Sequence, residues 1–258
     1  GFDKDLIIEP DEKDDVIPEN PPTVAKLGDI WQLGRHRVMC GDSTSLDDVQ
    51  SLMDGKKADM VFTDPPYGYS YESNYQKTHG VLENDDKILD FLPNTYIVTE
   101  ANVPFYIFCG WQTVKEWKEK VDESGLILKN IIVWKKNNWS MGDLKGAYAG
   151  QYEMILFAHK GRIELKGERA RDVWEFDRVP PSTHPTMKPV ELIEKALLNH
   201  ESNNVLDLFL GSGSTLIACE KTNRICYGME LSEKYVDVII KRWEDYTNEK
   251  AVCLNQIQ

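Results

Sequence analysis

The chain has 258 residues, of which 41 % are hydrophobic and 28 % charged, enough for one large α/β domain or two small ones. No run of eighteen or more apolar residues occurs, and the five cysteines form no C-x-x-C pair, which argues against a membrane span, a disulfide framework and a zinc site. The net charge of −13 argues at first against a nucleic-acid partner, but residues 1–22 contribute −6 and residues 129–188 contribute +4. The basic stretch could bind the phosphates of a nucleic acid or could equally well be a solvated surface of mixed charge.

The first part of the chain is predicted to be an acidic arm or linker. Residues 9–22 read EPDEKDDVIPENPP, which is rich in acids and prolines and poor in large apolar side chains. We therefore divide the chain into an arm at residues 1–26 and one folded domain at residues 27–250.

Strand and helix patterns alternate from Asp29 onward. Strands are predicted at residues 37–40, 60–63, 104–109, 126–134, 153–158, 205–210 and 225–229. Helices are predicted at residues 111–121, where Trp111 shares an apolar face with Trp117, from Pro189 onward, and from an N-cap at Ser232 onward. This alternation predicts an α/β fold with a mostly parallel sheet, helices on both faces, and a ligand site beyond the carboxyl ends of the strands.

A rigid acidic corner follows the second predicted strand, where residues 63–68 read TDPPYG. The two prolines exclude a helix and remove two backbone donors, and the first of them pushes Asp64 toward an extended conformation. The corner is therefore expected to present a carboxylate, bare carbonyl groups and the ring of Tyr67.

A glycine loop follows the sixth predicted strand, in the stretch LDLFLGSGSTL. Gly211 and Gly213 let the backbone turn tightly and approach a ligand, and Glu230 follows one β-α-β step later, where an acid would grip a ribose diol. Asp207 near the end of a buried strand is costly unless it is bonded, and a ligand with a positive centre would explain it. Leu216 replaces the third glycine of the dinucleotide fingerprint, so a nicotinamide oxidoreductase is a distant alternative, as is a non-catalytic nucleoside-binding module.

The joint presence of DPPY and LDLFLGSGST resembles the S-adenosylmethionine-dependent DNA amino-methyltransferases, which methylate adenine N6 or cytosine N4. The catalytic motif comes first, with 143 residues between Tyr67 and Gly211, an order that resembles the β class. CGDS, HPTMKP and QYEMILFAHKG are similar to further family segments. The resemblance covers residues 27–247. It implies a Rossmann-like methyltransferase fold with a mixed seven-stranded, mostly parallel sheet that contains one antiparallel hairpin strand.

The resemblance also implies roles for single residues. The catalytic residues would be Asp64, Pro65, Pro66 and Tyr67. The Asp64 carboxylate and the Pro65 carbonyl would accept the two hydrogens of the target amino group, and Tyr67 would stack on the base. Residues that bind the cofactor would be Asp42, Thr186, Lys188, Asp207, Phe209, Gly211, Ser212, Gly213 and Glu230. In this set Glu230 would bind the ribose hydroxyls of the cofactor, and Asp42 would lie near its adenine ring. Thr186 and Lys188 would lie near its methionine carboxylate.

DNA contacts are expected mainly after the strand that lines the base pocket. The target base must leave the duplex, so a second aromatic platform besides Tyr67 is expected, and Tyr152 is the candidate for it. Target-recognition elements are expected at residues 161–183, with help from loops at 69–84 and 135–148. The DNA-binding residues would be Lys135, Lys136, Trp139, Tyr152, Arg162, Arg169 and Arg171. Surface loops without a DNA contact, and a core aromatic at residue 152, are the alternatives.

Asp rather than Ser at the start of the DPPY motif favours adenine N6 as the target, which is a correlation within the family. Cytosine N4 is the alternative. The expected partner is double-stranded DNA, with neither a metal ion nor a membrane, and a homodimer is a guess from the same class. The expected location is the cytoplasm of a bacterium, or a phage or prophage setting.

Overall fold

The computed structural model contains one mixed β-sheet. It describes residues 10–11, 13–19, 21–68, 88–139, 145–167, 169–179 and 187–256. The strands of these residues are β1 (Ile30–Leu33), β2 (His36–Cys40), β3 (Met60–Thr63), β4 (Val103–Cys109), β5 (Ile127–Lys135), β6 (Tyr152–Lys160), β7 (Val173–Glu175), β8 (Asn204–Asp207), β9 (Ile225–Glu230) and β10 (Val252–Cys253). Their order across the sheet is β10-β1-β2-β9-β8-β3-β4-β6-β5-β7. Strands β1 and β6 run opposite to the others, so the sheet is mostly parallel.

The predicted number of seven strands is wrong, because the described residues contain ten. The seven predicted strands form the contiguous centre of the sheet, from β2 to β5, and β6 is the antiparallel strand expected among them. The three additional strands lie at the two edges, and none is longer than four residues. Such short edge strands carry no continuous apolar run, which is the signal on which the prediction depended.

Helices cover both faces of the sheet, as predicted. They are α1 (Leu46–Met53), α2 (Leu92–Ile97), α3 (Val114–Glu123), α4 (Val190–Leu198), α5 (Ser214–Lys221) and α6 (Glu233–Thr247), and a short 3-10 helix occupies Leu254–Gln256. Side chains of the central strands alternate between two apolar clusters: Met60 and Phe62 pack with α4, α5 and α6, whereas Val61 packs with α1, α2 and α3.

Several predicted boundaries differ from the structure, most of them by one or two residues. Helix α3 begins at Val114 rather than at residue 111, and the Trp111 side chain is 65 % exposed rather than part of an apolar face. Strand β8 ends at Asp207 rather than at residue 210, because Asp207 Oδ1 accepts the Phe209 N–H at 3.1 Å and takes the backbone out of the ladder. Pro189 lies at the N-cap of α4, one residue before the first turn, while Ser232 is the N-cap of α6 as predicted.

The described residues of the acidic arm pack against the domain. Asp14 is buried and forms an ion pair with Lys221 at 2.5 Å, and the same lysine lies 2.8 Å from Glu194. Asp237 on α6 accepts the backbone N–H groups of Val24 at 3.0 Å and Ala25 at 2.8 Å. The division of the chain near residue 26 stays a prediction.

None of the helices in the described ranges is both long and apolar enough to span a membrane. In the same ranges no group of three or more His, Cys, Asp or Glu side chains is placed to hold a metal ion.

Candidate active site

Three acids meet at one edge of the sheet. Strands β3, β8 and β9 are neighbours and run parallel, so their carboxyl ends lie side by side. Asp64 follows the end of β3, Asp207 ends β8, and Glu230 ends β9. The Thr63 hydroxyl donates to Asp207 Oδ1 at 3.0 Å, which ties the acidic corner to the strand that leads into the glycine loop. The two motifs therefore converge, although 144 positions separate Thr63 from Asp207.

The acidic corner is held by contacts with its surroundings. The Thr113 hydroxyl, just before α3, donates to the Tyr67 carbonyl oxygen at 2.6 Å. Gly68 has a φ of +80°, and a Cβ at this position would lie 2.5 Å from the Ile88 side chain. Only glycine fits there, so the chain turns away immediately after Tyr67.

The Asp64 carboxylate lies in a cluster of charged and polar groups. The Lys188 ammonium contacts Asp64 Oδ2 and lies 3.4 Å from Glu153 Oε2. The Tyr67 hydroxyl lies 3.0 Å from Asp64 Oδ1 and 2.9 Å from Glu153 Oε2, and its single proton can be donated to only one of them at a time. Lys136 contacts the other Glu153 oxygen at 2.5 Å. The cluster thus combines two carboxylates, two ammonium groups and one phenol.

Burial raises the pKa of Asp64, and the nearby Glu153 raises it further, while Lys188 opposes both effects. Burial also acts on Glu153, but Lys188 and Lys136 outweigh it and hold the pKa of Glu153 below its usual range. For Lys188 the burial cost is outweighed by the two carboxylates, so its pKa is raised. At neutral pH Lys188 is therefore a cation and Glu153 an anion.

Glu153 is the functional candidate that the sequence analysis missed. It lies at the start of β6, and because this strand is antiparallel, its start lies at the same edge as the ends of its neighbours. The signal was an acid directly before the apolar run MILF in QYEMILFAHKG. The sequence pattern alone does not show that this acid lies at the site, because that depends on the direction of β6.

The glycine loop follows β8 directly. Gly211 has a φ of +55°, and a Cβ there would meet nothing within 4 Å, so the backbone borders open space. Gly213 has a φ of +89° and occupies the N-cap position of α5, with Ile239 against its back. Ser212 faces the interior, where Arg242 donates to its carbonyl oxygen at 2.9 Å.

Asp207 and Glu230 flank this loop with their carboxylates bonded to backbone and hydroxyl groups. Thr215 donates to Asp207 Oδ2 at 2.6 Å. Glu230 accepts the N–H groups of Gly211 at 2.9 Å and Ser232 at 2.9 Å. Burial nevertheless raises the pKa of Asp207 to about 6 and that of Glu230 to about 7. A cationic group or hydroxyl donors placed here would stabilise the ionised forms.

The remaining residues predicted to bind the cofactor lie at varying distances from this centre. The Phe209 ring packs edge-to-face on Phe91, with 4.9 Å between centroids. Asp42 follows β2, whose end pairs with Glu230, and its carboxylate accepts Thr44 N–H at 2.8 Å in a local turn. Thr186 lies outside the described residues. Lys188 contacts the acidic corner, as above.

The residues predicted to bind DNA divide into two groups. Lys135, Lys136, Trp139 and Tyr152 lie at the carboxyl edge; Trp139 and Tyr152 are exposed, whereas Lys136 is largely buried against Glu153. Lys135 pairs with Glu175 at 3.1 Å.

The predicted arginines are not gathered at this edge. Arg162 lies beyond the far end of β6, where its N–H donates to Asn102, and it lines a groove of about 410 Å³ at the opposite edge. Arg169 and Arg171 are exposed and precede β7, whose other end reaches the site. Loop 69–84 lies outside the described residues, as do residues 140–144, 168 and 180–183 of the other predicted recognition segments.

A mostly parallel sheet that gathers an acidic corner, a glycine loop and an acid after the next strand at one edge defines a Rossmann-like methyltransferase fold. Two solved structures share this fold. The crystal structure of M1.HpyAVI in complex with SAM has a TM-score of 0.63 and 24 % identity, covering 80 % of this chain and 98 % of that chain. The PvuII DNA methyltransferase, described as cytosine-N4-specific, has a TM-score of 0.60 and 14 % identity, covering 84 % and 92 %.

The family model for N6 and N4 methyltransferases, described as DNA methylase, matches residues 58–242. The chain therefore belongs to the DNA methylase family, which confirms the predicted class of amino-methyltransferases. Relatives include the type II methyltransferase M.HpaI of Haemophilus parainfluenzae, 27 % identical and covering 74 % of this chain and 69 % of the relative. Another is M2.DpnII of Streptococcus pneumoniae, 25 % identical, covering 75 % and 85 %.

Proposed function

We propose that this DNA methylase transfers a methyl group from S-adenosylmethionine to the exocyclic N6 of an adenine in double-stranded DNA. The observation that carries the proposal is the bond between Thr63 and Asp207, which joins the acidic corner to the start of the glycine loop. A base amino group at Asp64 and a cofactor along Gly211 would then share one cleft.

The residues of the loop fit a nucleoside with a positive centre. The open space beside Gly211 would admit the cofactor close to the backbone, and Glu230 retains lone pairs for ribose hydroxyls. Asp207 would lie near the positive charge. A bound cofactor would supply an electrophilic methyl group: its S–CH3 bond would break as an N–CH3 bond forms, which leaves a neutral thioether, and the proton lost by the amino nitrogen would pass to water.

The residues of the corner would position the amino group. The lone pair of an exocyclic amine is conjugated into the ring, so acceptors aimed at its two hydrogens favour a geometry in which that lone pair faces the methyl group. The Asp64 carboxylate and the Pro65 carbonyl are the proposed acceptors. Pro66 would keep the turn rigid, and the Tyr67 ring would stack on the base. No nucleophilic side chain is required.

The base must leave the duplex to reach this depth, which costs a few kcal/mol. Stacking on aromatic side chains offsets about 1–3 kcal/mol per base. Trp139 and Tyr152 are exposed at the correct edge for this, and Lys135 would contact phosphates. The three arginines lie at strand ends away from Asp64. They remain proposed contacts to phosphates or bases.

We favour adenine over cytosine as the target base because the DPPY motif begins with Asp64. This choice rests on a correlation within the family. N4-cytosine methylation is the second candidate, since a cytosine-N4-specific enzyme shares the fold. A bacterial cytoplasmic location and a homodimer remain expectations.

The test is to incubate the purified protein with unmethylated duplex DNA and S-adenosylmethionine, digest the DNA, and identify methylated nucleosides by mass spectrometry. N6-methyldeoxyadenosine supports the proposal, and N4-methyldeoxycytidine decides for the second candidate. Absence of both, in a preparation shown to bind the cofactor, would overturn it.

A further inference from the structure

Lys188 occupies the position at Asp64 that the proposed function assigns to the substrate amine. Its ammonium donates to Asp64 Oδ2 and lies over the Phe108 ring, 4.9 Å from the ring centroid. The side chains of Lys188, Asp64 and Glu153 are only 10 %, 26 % and 22 % exposed, so water screens their charges weakly. An incoming amino group must take over an acceptor that an ammonium already uses.

Glu153 offers the displaced ammonium a second acceptor. Its Oε2 lies 3.4 Å from Lys188, so a small movement would transfer the ammonium from one carboxylate to the other without exposing it. Glu153 is itself fixed, because the end of β5 pairs in continuous register with the start of β6, where Glu153 lies opposite Trp134.

The charges around Asp64 decide whether its carboxyl group is ionised. Asp64 is a strong acceptor for a hydrogen of the base amino group only when it is ionised, and the carboxylate of Glu153 opposes its ionisation. Tyr67 is the other titratable group in contact, and it remains neutral because burial raises its pKa well above the usual value. Lys188 is thus the nearby cation that can keep Asp64 negative.

We propose that Lys188 and Glu153 are positioning residues of methyl transfer: Lys188 keeps Asp64 ionised, and Glu153 holds the Lys188 ammonium beside Asp64 when the base amino group takes its place. This inference rests on the proposed function. It assigns no step of bond making to either residue, and both act through Asp64.

The test is the pH dependence of the single-turnover rate on unmethylated plasmid DNA, for which the wild-type product is identified first. Lys188→Met should move the acidic limb of the profile to higher pH by about one unit or more, because Asp64 loses a neighbouring cation. Glu153→Gln should move the limb to lower pH, because Asp64 loses a neighbouring anion. Opposite shifts from two variants of one cluster would not follow from a general loss of structure.

Lys188→Arg should keep the limb close to its wild-type position, since the charge is retained. Lys250→Met, which removes an exposed ion pair with Glu244 on α6, is the control and should leave the limb in place. Cofactor affinity and the thermal unfolding midpoint report whether each variant is folded. If Lys188→Met does not fold, the direction of the Glu153→Gln shift decides alone.

A limb that stays at the wild-type pH in Glu153→Gln or in folded Lys188→Met would overturn the inference, as would a lower rate with an unchanged profile. These results concern the positioning residues only. A wild-type protein that produces no methylated nucleoside contradicts the proposed function itself, so the two failures are distinct.

Discussion

At the scale of single residues, the site contains two buried acids, Asp207 and Glu230, that contact no cationic side chain among the described residues. Asp207 is 3 % exposed, and burial raises its pKa to about 6 despite three hydrogen bonds. Its ionisation therefore destabilises the folded protein above about pH 6, whereas below about pH 4 the group is protonated in both states and the cost vanishes. An acid kept at such a cost suits a ligand site better than a structural role.

We expect Asp207→Asn to stabilise the cofactor-free protein at pH 8 and to weaken cofactor binding. The pKa shift sets an upper limit of roughly 3 kcal/mol, and a gain of about 1–2 kcal/mol is expected after changes in hydrogen bonding. Urea unfolding at pH 8 and at pH 4.5 measures it, and the gain should shrink at the lower pH. Asp122→Asn, at an exposed position of α3, is the control, and its free energy of unfolding should change by no more than about 0.5 kcal/mol. An Asp207→Asn protein less stable at pH 8 than wild type would contradict the expectation.

Asp64 and Glu230 should separate catalysis from cofactor binding. Asp64→Ala should abolish methyl transfer while cofactor affinity survives, because the acidic corner is proposed to bind the base and not the cofactor. Glu230→Ala should weaken the cofactor first, about tenfold or more, since hydrogen bonds to a charged group contribute about 1.5–3 kcal/mol. Calorimetric titration with the cofactor and single-turnover assays at saturating cofactor distinguish the two. If both variants lost cofactor affinity equally, the assigned roles would be wrong.

The sequence was sufficient to predict Asp64, Asp207 and Glu230 as neighbours, because each follows or ends a parallel strand and such ends meet at one edge. The sequence was not sufficient to predict that Glu153 lies at the site or that Lys188 contacts Asp64. The first depends on the reversed direction of β6, and the second on the path of the chain before α4. Neither can be read from local spacing.

At the scale of elements, long buried strands were predictable and their boundaries less so. The central strands contain continuous apolar runs, whereas β7 and β10 at the edges and β1 next to β10 are short strands whose pairing is decided by tertiary contacts. The start of α3 was misplaced because Trp111 fits the helical spacing by chance. It belongs to the turn between β4 and α3, two positions before the threonine that holds the Tyr67 carbonyl.

This turn gives a prediction for Trp111. Its side chain is exposed in the same turn that contacts the acidic corner through Thr113, so Trp111→Ala should cost little stability and should lower DNA affinity by about 1–3 kcal/mol if one base stacks on it. Fluorescence anisotropy with a labelled duplex measures the change. Ile127→Ala, an exposed apolar residue at the other end of the sheet, is the matched control. Equal DNA affinity of Trp111→Ala and wild type would exclude a DNA contact.

At the scale of the whole molecule, the acidic arm reaches the glycine loop through one arginine. Arg242 on α6 is buried and donates to the carbonyl oxygens of Asp14 at 2.5 Å and Ser212 at 2.9 Å. The sequence indicated a linker because the arm is acidic and has few apolar residues. Lys221 and Arg242, the partners of Asp14, lie more than 200 positions away, which no local pattern can reveal.

Arg242→Met should therefore weaken cofactor binding about tenfold by releasing the carbonyl oxygen of Ser212. Arg37→Met is the matched control, because Arg37 also bonds backbone carbonyls, of Leu52 and Ser51, but joins β2 to α1 away from the loop. Both variants should lose about 1–3 kcal/mol of stability, and only Arg242→Met should lose cofactor affinity. A similar loss of affinity in both would mean that the arm acts through general stability alone.

The reversed direction of β6 has a consequence for divergence within the family. Because Glu153 is anchored by its ladder pairing with Trp134, the hairpin connection between them can be lengthened, shortened or rewritten while the acid stays in register. If this connection contributes to target recognition, as predicted for residues 135–148, insertions and deletions there would change the target preference while Glu153 keeps its place.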